Sequence, residues 1–237
     1  MSIIERAAER RKFAFDVYVK HLSTPILMPH LDKASNPGKS NFINLLKIIN
    51  AQALTQTPEE TAWLQTAIEA KRKIWIWSDL HFNHANIIKY CSRPFSDVTE
   101  MNNALLSAAQ SVPKDDLALI VGDFAMGRVA AVQTLWDVIQ PCRLIVGNHD
   151  QDVWKADLKF PWADAIQVFF HEDREYWVTH YPIRTEMIPE NVINIHGHIH
   201  DKLIEGKKHI NVSVEIMGYK PNILTEVIDA HSITNTN

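Results

Sequence analysis

Carboxylate, imidazole and amide side chains recur in this chain at one kind of place. Five short apolar runs end at Trp77, Val121, Val146, Thr179 and Ile195. Groups able to bind a cation begin within one to three residues of each end: Asp79 followed by His81, Asp123, Asn148 beside His149, His180, and then His196 followed by His198 and His200. Carboxylates supply charge and can bridge two cations, neutral imidazoles supply directional nitrogen donors, and an Asn carbonyl fills a position without adding charge. That mixture suits Mn, Fe or Zn better than Mg or Ca, which prefer all-oxygen shells. With 12 His in the chain, some must be bystanders. His21, His30, His209 and His231 lie in no such pattern, and His196 reads as strand-terminal or as a support for its neighbours.

The elements that position these groups follow from the same runs. Strands are expected over 74–77, 117–121, 144–146, 176–179, 192–195 and 210–214, where apolar residues cluster between polar stretches. In open α/β sheets, ligands bind beyond the carboxyl ends of the strands, so side chains far apart in sequence can converge there. Helical spacing over 101–109 and 129–139 predicts βαβ units and a largely parallel start. The later strands are expected to pair as hairpins, with 171–175 as a turn. Trp75 and Trp77 alternate on one strand and so share a face, a pattern of packing. The first seventy residues read as helices over 3–19, 41–49 and 57–70. The last opens with Thr57-Pro58-Glu59-Glu60, an N-cap threonine with proline after it and glutamate three residues on.

Composition excludes several classes. The chain has 237 residues, 46% hydrophobic and 22% charged, with 7 Gly, which is the profile of a folded globular protein. No stretch reaches the length of apolar sequence that a membrane helix needs, and the charged start lacks the apolar core of a secretion signal, so a cytoplasmic location is expected. The two cysteines, Cys91 and Cys142, form no CxxC pair, which leaves His, carboxylate and amide groups as metal ligands. Residues 1–73 carry 11 Lys+Arg against 7 Asp+Glu, a balance of +4, and leave 13 against 21, a balance of −8, for the remainder. The asymmetry predicts two parts, a helical extension over 1–73 and a catalytic domain over 74–237. An acidic catalytic part fits cation binding and argues against long nucleic acid as a partner. The N-terminal helices are expected to serve packing or homo-oligomerisation, with a cap over the substrate cleft or a partner-binding module as the alternatives.

The blocks Asp79-Leu80-His81, Gly122-Asp123, Gly147-Asn148-His149-Asp150, His180 and Gly197-His198-Ile199-His200, in this order, resemble the calcineurin-like metallophosphoesterase family over 74 to about 219. His81 to Ile88 and the run Asn211-Val212-Ser213-Val214-Glu215 resemble a small bacterial and phage subgroup of it. The resemblance implies an α/β fold, a four-layer α/β/β/α sandwich of two mixed sheets, here preceded by the helical segment. It implies two divalent metals, Mn first, with Fe or Zn as the other choices. One would be held by Asp79, His81 and His200, the other by Asn148, His180 and His198, with Asp123 bridging. It further implies hydrolysis of phosphate esters by a hydroxide that the metals make available, with His149 assisting the leaving group.

The expected substrate is a phosphorylated small molecule or nucleotide, a phosphodiester first. A phosphomonoesterase, a nuclease and a catalytically idle metal-binding scaffold are the alternatives. His84, Arg93 and Arg128 are candidate substrate contacts, the arginines as clamps on phosphate oxygens. Asp150 and Asp201 are candidates either to orient neighbouring imidazoles or to shape turns.

Overall fold

A computed structural model describes residues 1–24, 37–127, 132, 135–137, 139, 142–150 and 163–234. The helix expected over 129–139 falls largely outside the described residues. Four helices come first: α1 (Ile3–Ser23), α2 (Pro37–Ala53), α3 (Pro58–Thr61) and α4 (Trp63–Glu69). Ser2 caps α1 by accepting the Glu5 N–H at 3.1 Å, while the Glu5 carboxylate accepts the Ser2 N–H at 2.6 Å. The helix expected over 57–70 does begin at Thr57 with its capping box, but it breaks at Ala62 (φ −107°, ψ 45°) into α3 and α4.

Two mixed sheets follow. The first runs β4 (Ala163–Asp164), β3 (Cys142–Ile145), β2 (Leu117–Ile120), β1 (Ile74–Trp77), β9 (Asn222–Ile223); all its pairs are parallel except β1 with β9. Helices α5 (Ala85–Tyr90) and α6 (Val98–Gln110) connect β1 to β2. The second sheet runs β5 (Gln167–His171), β6 (Arg174–Thr179), β7 (Val192–His196), β8 (His209–Asn211). Here the expectation of hairpins fails in part. Only β5 and β6 are antiparallel, across the turn at Glu172 and Asp173, whereas β6, β7 and β8 are parallel. The strand expected over 210–214 stops at Asn211, and a short helix α7 (Val214–Met217) precedes β9 and the final helix α8 (Leu224–Thr234).

The alternation of strand side chains builds the layers. Ile74, Ile76, Leu119 and Val121 from the first sheet share a buried cluster with Tyr176, Val178, Ile193 and Ile195 from the second, and Leu224 and Ile228 of α8 join them. The opposite face of β1 turns Trp77 into a second cluster with Met101 and Leu105 of α6. The opposite face of β6 presents Trp177, which meets Phe13 of α1 edge to face at 5.9 Å. Helices α1 and α2 therefore belong to the same core as the sheets: Ala14, Phe15, Tyr18, Phe42 and Leu46 are buried with Trp77, Leu144, Val168 and Trp177. Arg11, fully buried, fixes α1 to the corner between β4 and β5. It donates to the Ile166 carbonyl at 3.0 Å and to Asn50 at 2.7 Å, and pairs with Asp164. Among the described residues no helix is long and apolar enough to cross a membrane.

Candidate metal centre

Loops beyond the strand ends bring the candidate ligands together. The Asp79 N–H donates to the Gly122 carbonyl at 3.0 Å and the His81 N–H to the Asp123 carbonyl at 2.9 Å, which laces the loop after β1 to the loop after β2. Asp79, His81, Asp123, His198 and His200 all have positive φ, between 52° and 71°. For residues with a Cβ this costs on the order of 1–3 kcal/mol each, and it persists only where surrounding contacts enforce it. Five such residues among seven candidate ligands mark a backbone built to aim side chains.

The ligand atoms form two groups. Those of Asp79, His81 and His200 lie within 4.8 Å of one another, and so do those of Asp123, His180 and His198. Asn148 Oδ1 stands 3.2 Å from His180 Nε2, at the second group. Asp123 lies between them, with Oδ2 3.4 Å from His81 Nε2 and Oδ1 3.4 Å from His180 Nε2.

The donor set fits a pair of divalent cations. Both ring nitrogens of His81 are buried without a hydrogen-bond partner, an arrangement that costs free energy unless an electrophile such as a metal ion completes it. Burial holds the His81 and His198 imidazoles well below their usual protonation range, despite the charge of Asp123, so the form with a free lone pair prevails. Burial also opposes ionisation of Asp123, but His180 beside it overcomes that and keeps the carboxyl well below its usual range.

Two of the block glycines are explained by close approach. A Cβ at Gly147 would collide with the carboxylate and backbone amide of Asp123, and one at Gly197 with Ser78 and the Asp79 carboxylate. Only glycine lets these loops pack onto the candidate ligands.

A surrounding set of groups orients the imidazoles and carboxylates. His180 Nδ1 donates to the Val121 carbonyl at 2.9 Å, which turns Nε2 toward Asp123 and Asn148. Ser213 donates to Asp79 Oδ2 at 3.0 Å, and the His198 N–H to the same carboxylate at 2.9 Å. Asp150 accepts the N–H groups of Asp123 at 3.0 Å, Phe124 at 2.9 Å and Gly147 at 2.7 Å, joining two ligand loops rather than orienting a ring. Glu215 Oε1 lies 3.1 Å from His200 Nδ1. Cys91 lies beside that pair.

Arg93, expected as a phosphate clamp, is turned inward. It is buried, and it donates to Glu215 at 2.9 Å and to the carbonyls of Leu80 at 2.9 Å and Asp79 at 2.7 Å. Its fork is spent holding the first ligand loop against Glu215. Arg128 lies outside the described residues. His84 stays at the site, its ring 5.3 Å from His81 and 6.0 Å from His149, which itself lies 5.1 Å from His81. His196 ends β7, buried, with Nδ1 at 2.9 Å from the Gly197 carbonyl. Tyr181 carried no signal in the sequence beyond following His180, yet its ring stacks on His198 at 3.7 Å.

A family model described as calcineurin-like phosphoesterase matches residues 72–229. The chain is 32% identical over 179 residues to the uncharacterized protein MJ1445 of Methanocaldococcus jannaschii, spanning 70% of this chain and 96% of that protein. It is 26% identical over 182 residues to the gene 66 protein of Mycobacterium phage L5, spanning 61% of this chain and 87% of the relative. Among solved structures, the Aquifex aeolicus protein of unknown function AQ665 superposes with a TM-score of 0.53 at 25% identity, over 67% of this chain and 99% of that one.

Proposed function

The chain belongs to the calcineurin-like phosphoesterase family, metal-dependent hydrolases of phosphate esters, and from that premise we propose a phosphodiesterase acting on a small substrate, nucleotide diesters first. Asp79, His81 and His200 would hold one divalent cation and Asn148, His180 and His198 the other, with Asp123 shared. Mn, bound through this mixture of nitrogen and oxygen donors, is the favoured metal. When bound, the cations supply Lewis acidity, which makes a hydroxide nucleophile available near neutral pH and offsets the charge of the phosphate.

The chain's own residues do the rest. Asp123 presents one carboxylate oxygen toward each group and keeps the two in register. His149, its ring beside His81, holds a proton for the departing oxygen. His84 lines the rim next to it and contacts the substrate. Tyr90, 73% exposed, stands edge-on to His84 at 6.3 Å and offers a flat face to a base or other planar substituent.

The observation that favours a diester is the inward turn of Arg93 onto Glu215. A monoester dianion needs one more cationic group than a diester, and this guanidinium is engaged elsewhere. The test is hydrolysis of bis-p-nitrophenyl phosphate and p-nitrophenyl phosphate side by side, with Mn restored to metal-stripped protein and a chelated control. Faster turnover of the diester, abolished by chelator, supports the proposal. Preference for the monoester would overturn the diester assignment and leave the family's chemistry in place.

A further inference from the structure

We infer that helices α1 and α2, which precede the span matched by the family model, brace one half of the metal centre, with Tyr18 and Tyr181 as positioning residues for His198. The inference rests on the reading that Asp123, His180 and His198 belong to a cation site.

The chain of contacts is short. Tyr18 of α1 is fully buried, and its hydroxyl oxygen accepts the backbone N–H of Tyr181 at 3.1 Å. The carbonyl of Tyr181 accepts the Thr179 hydroxyl at 2.7 Å, so both backbone polar groups of this residue are tied. Phe42 of α2 meets the Tyr181 ring at 5.5 Å. The same ring lies on His198 at 3.7 Å, tilted by 33°, and meets His180 at 5.4 Å nearly at right angles. His198 itself has φ +71°, a conformation that its surroundings must hold. One ring thus connects the N-terminal helices to two imidazoles of the same ligand group.

The helices are themselves anchored on the body of the protein, and not only through Tyr18. Arg11 is engaged with Asp164 and Ile166 at the β4–β5 corner and with Asn50 of α2. A brace must be fixed at both ends, and these contacts supply the second. On this account α1 and α2 are built into the site, and a full-length chain needs them for the geometry of one cation position and not the other.

The test uses the full-length, metal-stripped protein titrated with Mn, with each binding step resolved by calorimetry, and thermal unfolding measured in chelator. Tyr18→Phe keeps the ring and removes the acceptor for the Tyr181 N–H; Tyr181→Leu removes the stacked ring. Arg10→Met removes a separate contact, Arg10 Nε to both carboxylate oxygens of Glu175 on β6 at 2.9 and 3.0 Å, leaves the Arg11 anchor and Tyr181 in place, and controls for general destabilisation. The expected result is that Tyr18→Phe and Tyr181→Leu weaken one of two Mn steps by about tenfold or more and spare the other, while Arg10→Met lowers the unfolding temperature and leaves both steps intact. Wild-type affinities in Tyr18→Phe and Tyr181→Leu would overturn the brace. Equal weakening by Arg10→Met at a matched loss of unfolding temperature would overturn it as well. A wild-type chain that binds no pair of Mn ions would instead overturn the reading on which the brace rests.

Discussion

The backbone N–H of His149 donates to Asp123 Oδ1 at 2.9 Å. The proposed proton donor is therefore hung by its main chain from the carboxylate that stands between the two ligand groups. His149→Ala keeps that amide. It should retain the cation content of the wild type and lose turnover by a factor on the order of 100 or more. Metal analysis alongside steady-state kinetics reads both quantities, and undiminished turnover would remove His149 from the chemistry.

Arg93 separates a structural role from a substrate role. Arg93→Met leaves the Glu215 carboxylate buried beside His200 without its guanidinium partner, a change that costs about 3–5 kcal/mol in buried pairs. Urea unfolding should register that loss. Lys, which lacks the planar fork that reaches Glu215 and two carbonyls at once, should restore little of it. A clamp on phosphate would behave differently: KM would rise with stability unchanged.

Tyr90 bears on the substrate's chemistry. Stacking on an aromatic side chain contributes roughly 1–3 kcal/mol per base, so Tyr90→Ala should raise KM for a nucleotide diester by about fivefold or more. The same substitution should leave kcat and the kinetics of an aliphatic phosphodiester near their wild-type values. Parallel changes for both substrates would assign Tyr90 to packing.

His209, outside the two candidate ligand groups, predicts an acid sensitivity of its own. Burial, followed by the charges of His231 and Lys208, lowers its pKa from the ordinary 6.5 to about 4. The unfolded chain then takes up this proton more readily than the folded one, so the stability associated with neutral His209 is present above pH 6.5 and is lost as pH falls toward 4. Metal-stripped His209→Gln should show a shallower decline of its urea midpoint across that window. Identical slopes for the variant and the wild type would exclude His209 as a source.

The site was more legible in the sequence than the sheet that carries half of it. Ligand-type residues following five apolar runs mark strand ends, because side chains so far apart meet only where a sheet gathers them. The parallel direction of β7 and β8 departs from the expected hairpins, although the sequence carries its signal. Parallel neighbours need a crossover of about a dozen residues or more, and the segments between Thr179 and Val192 and between His196 and His209 are long enough. Those same crossovers carry His180, His198 and His200. The role of Arg93 was hidden for another reason: its partner Glu215 lies 122 residues away, and loop sequence alone does not distinguish an exposed guanidinium from a buried one. Tyr18 and Tyr181 were hidden likewise, since a stacked ring and a single hydrogen bond across 163 residues leave no local pattern. The two-residue strand β4 lacks the length for any period to register.

The most direct measurement is bis-p-nitrophenyl phosphate hydrolysis by metal-stripped protein as Mn is added back, for the wild type and Asp123→Asn in parallel. The account predicts no activity without Mn, a rise that levels off at two Mn per chain, and a large loss in Asp123→Asn, whose amide cannot offer a negatively charged oxygen to both groups. Activity that persists in chelator, or that Asp123→Asn leaves unchanged, would contradict it.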